Sequence, residues 1–308
     1  MIFFTSSTKQ LEKTFRDELG EYQLIIFNDH EIFLKLISQI KKDEEVTVVT
    51  ATNPPASNLL ELFFLLNTLQ NAHAKINLIF TYFGYARQDH PQAFVAQGAK
   101  VICNCLKQFS LNKTIIIHPH SKHLHQFISF TSYIPYELYI PIIEEKNIEV
   151  IVAPDQGAHD ACKKLSTLTN TSLCTLNKKR IGIDQIKTIS LDGSVTNKNV
   201  LILDDLISTG STIINAAENL KQHHASKIYS AATHSLLTQE HAEKILKSPI
   251  QELWVTNTIK QTILIPHYHI INIGPALKNL ISHVFLFKNE IIDNFRLKKG
   301  SYIILRKG

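Results

Sequence analysis

Apolar runs that alternate with helical patterns are the feature of this chain that most limits its possible folds. Seven runs have the composition of buried strands, within residues 46–50, 76–83, 114–118, 150–154, 199–205, 228–234 and 252–258. Helical patterns lie between them at residues 58–72, 159–169 and 212–225. Such alternation predicts an α/β fold with mainly parallel sheets flanked by helices.

Composition narrows the class of protein. The 308 residues suffice for two domains, and 44% hydrophobic with 19% charged residues is ordinary for a globular chain. A net charge of +5 fits polyanionic small substrates, and no basic stripe with interleaved aromatics indicates a nucleic-acid partner. The N-terminus lacks a signal-peptide pattern, and the apolar run at 59–66 is too short for a membrane span and is interrupted by Glu61.

The cysteines indicate a reducing compartment. Four cysteines in a chain of this length do not form a disulfide framework. Cys103 and Cys105 lie in the apolar stretch VICNCL, and we expect both to be buried thiols. The cytoplasm is the expected location.

The sequence predicts that the same kind of unit is used twice along the chain, because each half contains strands, helices and polar loops at strand ends. A junction is expected within residues 139–149. We therefore predict domains at 1–142 and 143–282. Residues 283–308 form an extension of unknown role, whose alternating apolar residues are typical of added strands.

The segment LILDDLISTGST, residues 201–212, carries the strongest chemical signal. Its apolar run leads into Asp204 and Asp205, followed by a Ser/Thr/Gly turn and a helical pattern. Acids at the carboxyl edge of a sheet, beside the N–H groups of a helix N-terminus, suit a sugar phosphate. The alternative is a strand end whose acids only cap the next helix.

Two further motifs follow strand candidates in the first half. TYFGYARQDH, residues 81–90, places Arg87 where it could bind a phosphate, although a surface arginine in an aromatic loop is the alternative. IIIHPHSKHLHQF contains His118, His120, His123 and His125. After a strand, the first two would share one face, and the spacing alone favours zinc. A histidine-rich loop with one functional member is the alternative, since no cysteine or acid lies nearby in sequence.

Two motifs belong to the second half. VAPDQGAHDA, residues 152–161, puts Asp155 at a strand end, where the N–H groups near Gly157 could face an anion or Asp155 could simply cap the next helix. NKKR, residues 177–180, is a basic run that we place in a polar loop. It is either a solvated patch or a means of neutralising a polyphosphate.

Together these motifs resemble the ribose-phosphate pyrophosphokinase family, also called phosphoribosyl pyrophosphate (PRPP) synthetases, over about residues 2–281. YFGYARQD matches the family nearly letter for letter. The other segments that carry the resemblance are FNDHE (27–31), IHPHSKHLHQF (117–127), APDQGA (153–158), NKKR (177–180) and LDDLISTGST (203–212).

The resemblance implies two domains like type I phosphoribosyltransferases and transfer of a diphosphoryl group from ATP to ribose 5-phosphate. It implies roles for individual residues. The ribose 5-phosphate ligands would be Asp204, Asp205, Ser208, Thr209, Gly210, Ser211 and Thr212. Arg87 and Gln88 would contact ATP, while Phe27, Asp29 and Glu31 would bind adenine from a neighbouring subunit, which implies a homo-oligomer, dimer or hexamer.

The catalytic groups implied are His120, Lys178 and Arg180, the last two acting from a mobile loop. His120 and Asp155 would contact Mg²⁺ directly or through water. The chain departs from the family where His118 and Ser208 replace acids, Ala161 replaces arginine and Ala158 replaces glycine. The segment after Asp89 also looks shorter than the family's basic segment.

Two other functions stay open at this point. The departures suit a non-catalytic paralogue that binds nucleotides or regulates a true synthetase. A phosphoribosyltransferase acting on PRPP is the other alternative, although the two-domain pattern and the ATP-type motifs disfavour it.

Overall fold

The computed structural model describes residues 1–16, 18–180 and 186–286, with the backbone alone for 178–180, 186–189 and 284–286. The chain forms two compact units. The first contains Met1–Tyr133 and Thr258–Lys260, with the described residues from Leu277 onward. The second contains Ile134–Asn257 and Gln261–Ala276.

The first unit is built on a five-stranded parallel sheet. The strands of the unit are β1 (Ile2–Phe4), β2 (Tyr22–Ile26), β3 (Ile32–Leu36), β4 (Glu45–Ala51), β5 (Lys75–Tyr82), β6 (Leu111–Ile117) and β7 (Thr131–Tyr133), and its sheet order is β1-β4-β5-β6-β7. β2 and β3 form a separate antiparallel hairpin. The helices are α1 (Ser57–Asn71) and α2 (Gly98–Leu106), with 3-10 helices at Ser6–Thr14 and Lys122–Gln126.

The core of this unit follows from the spacing of its apolar residues. In α1 the buried leucines Leu62, Leu65, Leu66 and Leu69 recur at helical spacing and pack with the sheet in one cluster. Glu61 is also buried, because its carboxylate accepts hydrogen bonds from the Ser6 N–H, the Ser6 hydroxyl and the Tyr22 hydroxyl. A charged residue inside an apolar run is therefore tolerated through partners that are distant in sequence.

The second unit is built on a seven-stranded sheet. Its strands are β8 (Val150–Ala153), β9 (Ser172–Arg180), β10 (Ile186–Asp192), β11 (Val200–Ile207), β12 (Ile228–Ser235), β13 (Ile250–Thr256) and β14 (Tyr268–Ile271), in the order β10-β9-β8-β11-β12-β13-β14. The β9–β10 pair is antiparallel and the other pairs are parallel. The helices are α3 (Ile140–Glu145), α4 (His159–Thr169), α5 (Ser211–Gln222), α6 (Gln239–Leu246) and α7 (Gly274–Leu286), and α7 continues into the first unit.

Helices cover both faces of this sheet, as the period of a strand requires. Val200 and Ile202 of β11 belong to one core cluster, which includes residues of α5 and α6. Leu201 and Leu203 belong to the other, which includes residues of α3 and α4. Successive side chains of a strand point to opposite faces, so a fully apolar run indicates a sheet buried on both sides.

The predicted fold class is confirmed, with small shifts in the elements. Each of the seven predicted runs contains a strand, but β11 extends two residues beyond Asp205, because Leu206 and Ile207 pair with His234 and Ser235 of β12. The acid pair therefore lies inside the strand rather than at its end. The strands that the sequence did not predict are β1, β2, β3, β7, β9, β10 and β14.

Three further expectations are corrected. NKKR was placed in a loop, but Asn177–Arg180 lie within β9, paired with β10. Residues 283–286 continue α7 rather than start a strand, and 287–308 lie outside the described residues. Cys103 is buried but Cys105 is exposed, since residues two apart on helix α2 do not share a face.

No helix in the described part of the chain is long and apolar enough to cross a membrane. The cysteines Cys103, Cys105, Cys162 and Cys174 are all free thiols.

Candidate active site

The acid pair of the second unit lies at the carboxyl edge of its sheet. β11 runs between β8 and β12, parallel to both. Asp204 and Asp205 lie in its C-terminal half and are half-buried. The Asp205 N–H donates to Asp204 Oδ1 at 2.9 Å. The side chains of Asp204 and Asp205 also hydrogen-bond each other, so the two carboxyl groups lie close together.

The electrostatics of this edge are unfavourable for negative charge. Burial raises the pKa of Asp204 well above its usual range, and the charges of Asp205 and Asp155 raise it further. Neighbouring carboxylates repel one another when they are ionised. The arrangement favours ligands that donate hydrogen bonds, such as sugar hydroxyls, or that bring positive charge.

The turn after β11 leads directly into α5. Gly210 is the N-cap of α5, with φ +82°, and α5 has no side-chain capping hydrogen bond. The first N–H groups of a helix have no partner within the helix and attract anions. Thr209 Oγ1 and Ser211 Oγ lie 3.2 Å apart, so two hydroxyls flank the same N-terminus.

Asp155 follows β8 and is engaged with its own loop. Its Oδ1 accepts the N–H groups of Gly157 at 2.9 Å and Ala158 at 3.3 Å. The N–H group of Gly157, which the sequence offered to an anion, therefore donates to Asp155. Asp155 does not cap α4, whose N-cap is Ala158 without a side-chain hydrogen bond. The Asp155 carboxylate nevertheless lies close enough to Asp204 to raise its pKa.

The two departures in this region lie next to the same turn. Ala158 and Ala161 are both buried, Ala161 within α4. The Lys178 and Arg180 side chains lie outside the described residues, and the backbone of both belongs to β9.

The loop after β5 presents the predicted ATP contacts of the first unit. Arg87 and Gln88 are exposed, whereas the next residue, Asp89, is buried. Gly84 shapes the loop, because its N–H donates to Thr52 Oγ1 at 2.8 Å and an added Cβ would lie 2.1 Å from the Thr52 carbonyl oxygen. The aromatic-rich turn therefore fixes a close backbone approach and leaves Arg87 accessible.

The histidine segment does not place His118 and His120 on one face of a strand, as the zinc prediction required. β6 ends at Ile117, and His118 has φ +38° and is buried, so His118 and His120 are not alternate residues of a strand. His120 is exposed. Among the residues that the structure describes, only Asp89, His90 and His123 form a group of three or more His, Cys, Asp or Glu able to share an ion.

Sequence reasoning missed the acid in that group. Asp89 is 34 residues before His123 along the chain, but its Oδ2 lies 3.3 Å from His123 Nδ1. The predicted parallel sheet could have indicated this contact, because loops that follow neighbouring parallel strands meet at one edge of the sheet.

Phe27, Asp29 and Glu31 lie in the loop of the separate β2–β3 hairpin. Asp29 Oδ1 accepts the Glu31 N–H at 3.1 Å, and the Phe27 N–H donates to the Glu31 carbonyl. All three residues are exposed, and Phe27 contacts Phe33 with ring centroids 6.2 Å apart. The hairpin loop therefore presents an exposed aromatic ring and two exposed acids.

These features define an α/β protein with a carboxylate pair beside a helix N-terminus in one unit and an exposed arginine loop in the other. Two family models match the chain: the N-terminal domain of ribose phosphate pyrophosphokinase over residues 1–109, and the phosphoribosyl synthetase-associated domain over residues 141–285. The chain belongs to the ribose-phosphate pyrophosphokinase family.

Individual relatives support this membership. The ribose-phosphate pyrophosphokinase of Chlorobaculum tepidum is 31% identical over 76% of this chain and 74% of the relative. The enzyme of Bacillus subtilis is 29% identical over 92% of this chain and 93% of the relative.

A solved structure supports the fold. The phosphoribosylpyrophosphate synthetase of Mycobacterium smegmatis has a TM-score of 0.82, with 24% identity, over 93% of this chain and 98% of that one. At this level of identity the likeness concerns the fold alone.

Proposed function

We propose that the chain is an active ribose-phosphate pyrophosphokinase, which transfers the β,γ-diphosphoryl group of ATP to the anomeric hydroxyl of ribose 5-phosphate and releases PRPP and AMP. The observation that carries the proposal is the juxtaposition of the Asp204–Asp205 pair with the uncapped N-terminus of α5. In a chain of this family, that edge suits ribose 5-phosphate.

The sugar-phosphate roles follow from the chemistry of the edge. Asp204 and Asp205 accept hydrogen bonds from the ribose hydroxyls, which lessens the repulsion between the carboxylates. The N–H groups and hydroxyls of Ser208, Thr209, Gly210, Ser211 and Thr212 receive the 5-phosphate. Ser208 in place of an acid removes one negative charge beside that phosphate.

The ATP roles are divided between two loops. Arg87 and Gln88, exposed after β5, contact the nucleotide, and the guanidinium pairs with phosphate oxygens. Phe27, Asp29 and Glu31 bind adenine of a neighbouring subunit, which suits their exposure on the hairpin loop. The active form is therefore a homo-oligomer, a dimer or a hexamer.

Mg²⁺ is the proposed cofactor, with Asp155 and His120 as its protein contacts, directly or through water. Mg²⁺ prefers oxygen ligands and retains several waters, so Asp155 fits as a carboxylate ligand and His120 fits through water. When bound, the ion supplies charge neutralisation for the triphosphate.

Catalysis of this reaction is mainly positioning and charge neutralisation, because the transfer is an in-line displacement at phosphorus. Lys178 and Arg180 neutralise charge that develops on the transferred group. His120 is the third proposed catalytic residue. We place the reaction in the cytoplasm, without a nucleic-acid partner.

One assay tests the function. Purified protein is incubated with ATP, Mg²⁺ and ribose 5-phosphate, and AMP and PRPP are measured. Equal amounts of both products are expected. If the protein binds ATP but releases no AMP above background, it is a non-catalytic nucleotide-binding subunit. If it consumes PRPP together with a free base, it is a phosphoribosyltransferase.

A further inference from the structure

Two loops of the first unit meet at a cluster that the proposed reaction does not use. β5 and β6 are neighbouring parallel strands, so the loop with Asp89 and His90 and the 3-10 helix with His123 leave the same edge of the sheet. His123 Nδ1 lies 3.3 Å from Asp89 Oδ2, and His90 Nδ1 lies 3.5 Å from Asp89 Oδ1. The two imidazole rings have centroids 4.5 Å apart.

We propose that Asp89, His90 and His123 bind a transition-metal dication, Zn²⁺ in the first place. Two imidazoles and one carboxylate are a donor set that zinc favours, and three protein ligands leave a further position open. Bonds of about 2.0–2.2 Å at near-tetrahedral angles place neighbouring ligand atoms roughly 3.3 Å apart. The three candidate ligand atoms lie within 4.8 Å of one another. The two imidazole–carboxylate contacts, which run to different oxygens of Asp89, are 3.3 Å and 3.5 Å.

Burial and hydrogen bonds to neighbouring residues hold the Asp89 side chain in place. Asp89 is only 7% exposed, and its backbone carbonyl accepts the side-chain amide of Gln97. The hydroxyl of Ser121 hydrogen-bonds the Asp89 carboxylate. Hydrogen bonds from such outer residues orient a ligand, while the exposed rings of His90 and His123 give an ion a path to it.

The donor set also makes the cluster selective for transition metals over Mg²⁺. Imidazole nitrogen suits zinc, nickel and cobalt, whereas Mg²⁺ prefers carboxylate and water oxygens. Neither Asp155 nor His120, the two proposed Mg²⁺ contacts, belongs to the cluster. An excess of Mg²⁺ should therefore not displace the transition metal.

Cobalt serves as the spectroscopic probe. Untagged protein is stripped with a chelator, dialysed and titrated with Co²⁺ while visible absorption is recorded, and Zn²⁺ is then added in competition. One Co²⁺ per chain, displaced by Zn²⁺ and not by millimolar Mg²⁺, is the expected result. Absence of saturable Co²⁺ binding by the folded wild-type protein would overturn the proposal.

Matched variants locate the site. His123→Gln and His90→Gln should each weaken binding at least about 10-fold, as loss of a ligand or of its support does. His125→Gln is the control, because His125 lies on the same 3-10 helix but stacks on Phe130 instead of joining the cluster. Equal loss in the control, or unchanged binding in both test variants, would refute the assignment. Circular dichroism of each metal-free variant checks its folding.

A consequence for the enzyme rests on the proposed function. Asp89 directly follows Arg87 and Gln88, and His123 lies three residues after His120. A bound ion would tie the ATP loop to the segment of the catalytic histidine, so Zn²⁺ should change the KM for ATP in wild type and not in His123→Gln. The cobalt spectra need no substrate, so they stand even if the protein lacks PRPP synthetase activity.

Discussion

At the end of β11 a single glycine directs the chain into α5. Gly210 has φ +82°, and a Cβ at this position would lie 2.5 Å from Ile245 Cδ1. Both the backbone conformation and the packing of α6 exclude a side chain. The N-terminus that is proposed to hold the 5-phosphate therefore depends on this residue.

We expect Gly210→Ala to lower the free energy of unfolding by ~1–3 kcal/mol and to weaken ribose 5-phosphate binding. Urea denaturation and calorimetry measure the two effects. In the Gly210→Ala/Ile245→Ala double variant the loss should be smaller than the sum of the single losses, because the clash is gone. Strict additivity would contradict the steric part of the explanation.

The raised pKa of Asp204 means that the acid cluster lowers the stability of the ligand-free protein at neutral pH. The pKa of Asp204 is raised in the folded state, by burial and then by Asp205 and Asp155, so its contribution to stability is present below the unfolded pKa and is lost as pH rises through the folded pKa. The carboxyl group that is proposed to bind the sugar thus destabilises the fold at neutral pH.

In chelator-treated, ligand-free protein, Asp204→Asn should therefore raise Tm near pH 7–8 and give no increase near pH 3. A relief of about 1 kcal/mol corresponds to roughly 2–4 °C in a domain of this size. The same variant should raise the KM for ribose 5-phosphate. Asp43→Asn, at an exposed turn, is the control and should leave both quantities unchanged. A lower Tm at pH 7–8 would count against the repulsion.

At the scale of elements, a polar network joins α3 to two strands. Glu252 of β13 accepts Lys146 Nζ at 2.6 Å and contacts His269 Nε2 of β14 at 2.7 Å. Burial alone would raise the pKa of Glu252, but the hydrogen bonds and charges of Lys146 and His269 outweigh it and hold the pKa below its usual value. The network ties Lys146, the residue that follows α3, to the last two strands of the sheet.

Glu252→Gln should cost about 1–2 kcal/mol of unfolding free energy at neutral pH, because a half-buried, charge-assisted contact is lost. A lowered folded pKa gives stability that is present above the unfolded pKa and is lost as pH falls through the folded pKa. The difference from wild type should thus shrink below about pH 4. Glu145→Gln, whose carboxylate is 44% exposed and 3.5 Å from Lys146, is the control and should cost about 0.5 kcal/mol or less.

The β9–β10 pair is the element in which the proposed transition-state charges lie. Lys178→Ala should lower kcat by roughly 10³- to 10⁵-fold, the range known for cationic groups that act in phosphoryl transfer. Lys179→Ala, the next residue of the same strand, has no assigned role and serves as the control. Near-normal turnover of the Lys178 variant would refute its role.

At the scale of the whole molecule, the proposed adenine site requires two subunits. The Phe27 loop of one chain would complete the site of another. Two variants that are each inactive, Phe27→Ala and Lys178→Ala, should then complement one another, because a mixed oligomer contains sites with both native residues.

Mixing the two variants under conditions that exchange subunits should restore up to about a quarter of wild-type turnover in a random dimer, a consequence of symmetric interfaces. Measurement of AMP release before and after exchange tests this. If Phe27 and Lys178 acted within one chain, each mixed dimer would have two defective sites, and no activity would return.

Local patterns in the sequence determined the parallel α/β class, the seven predicted strands and the chemistry of the acid pair, because strand period, helix spacing and turn residues act over a few positions. The tertiary structure decided what depends on distant neighbours. β12 extends β11 beyond Asp205, β10 takes NKKR into a strand, and the β5–β6 pairing brings Asp89 to His123 across 34 residues. Pairing between strands sets these distances, and no short segment of the chain records which strands will be neighbours.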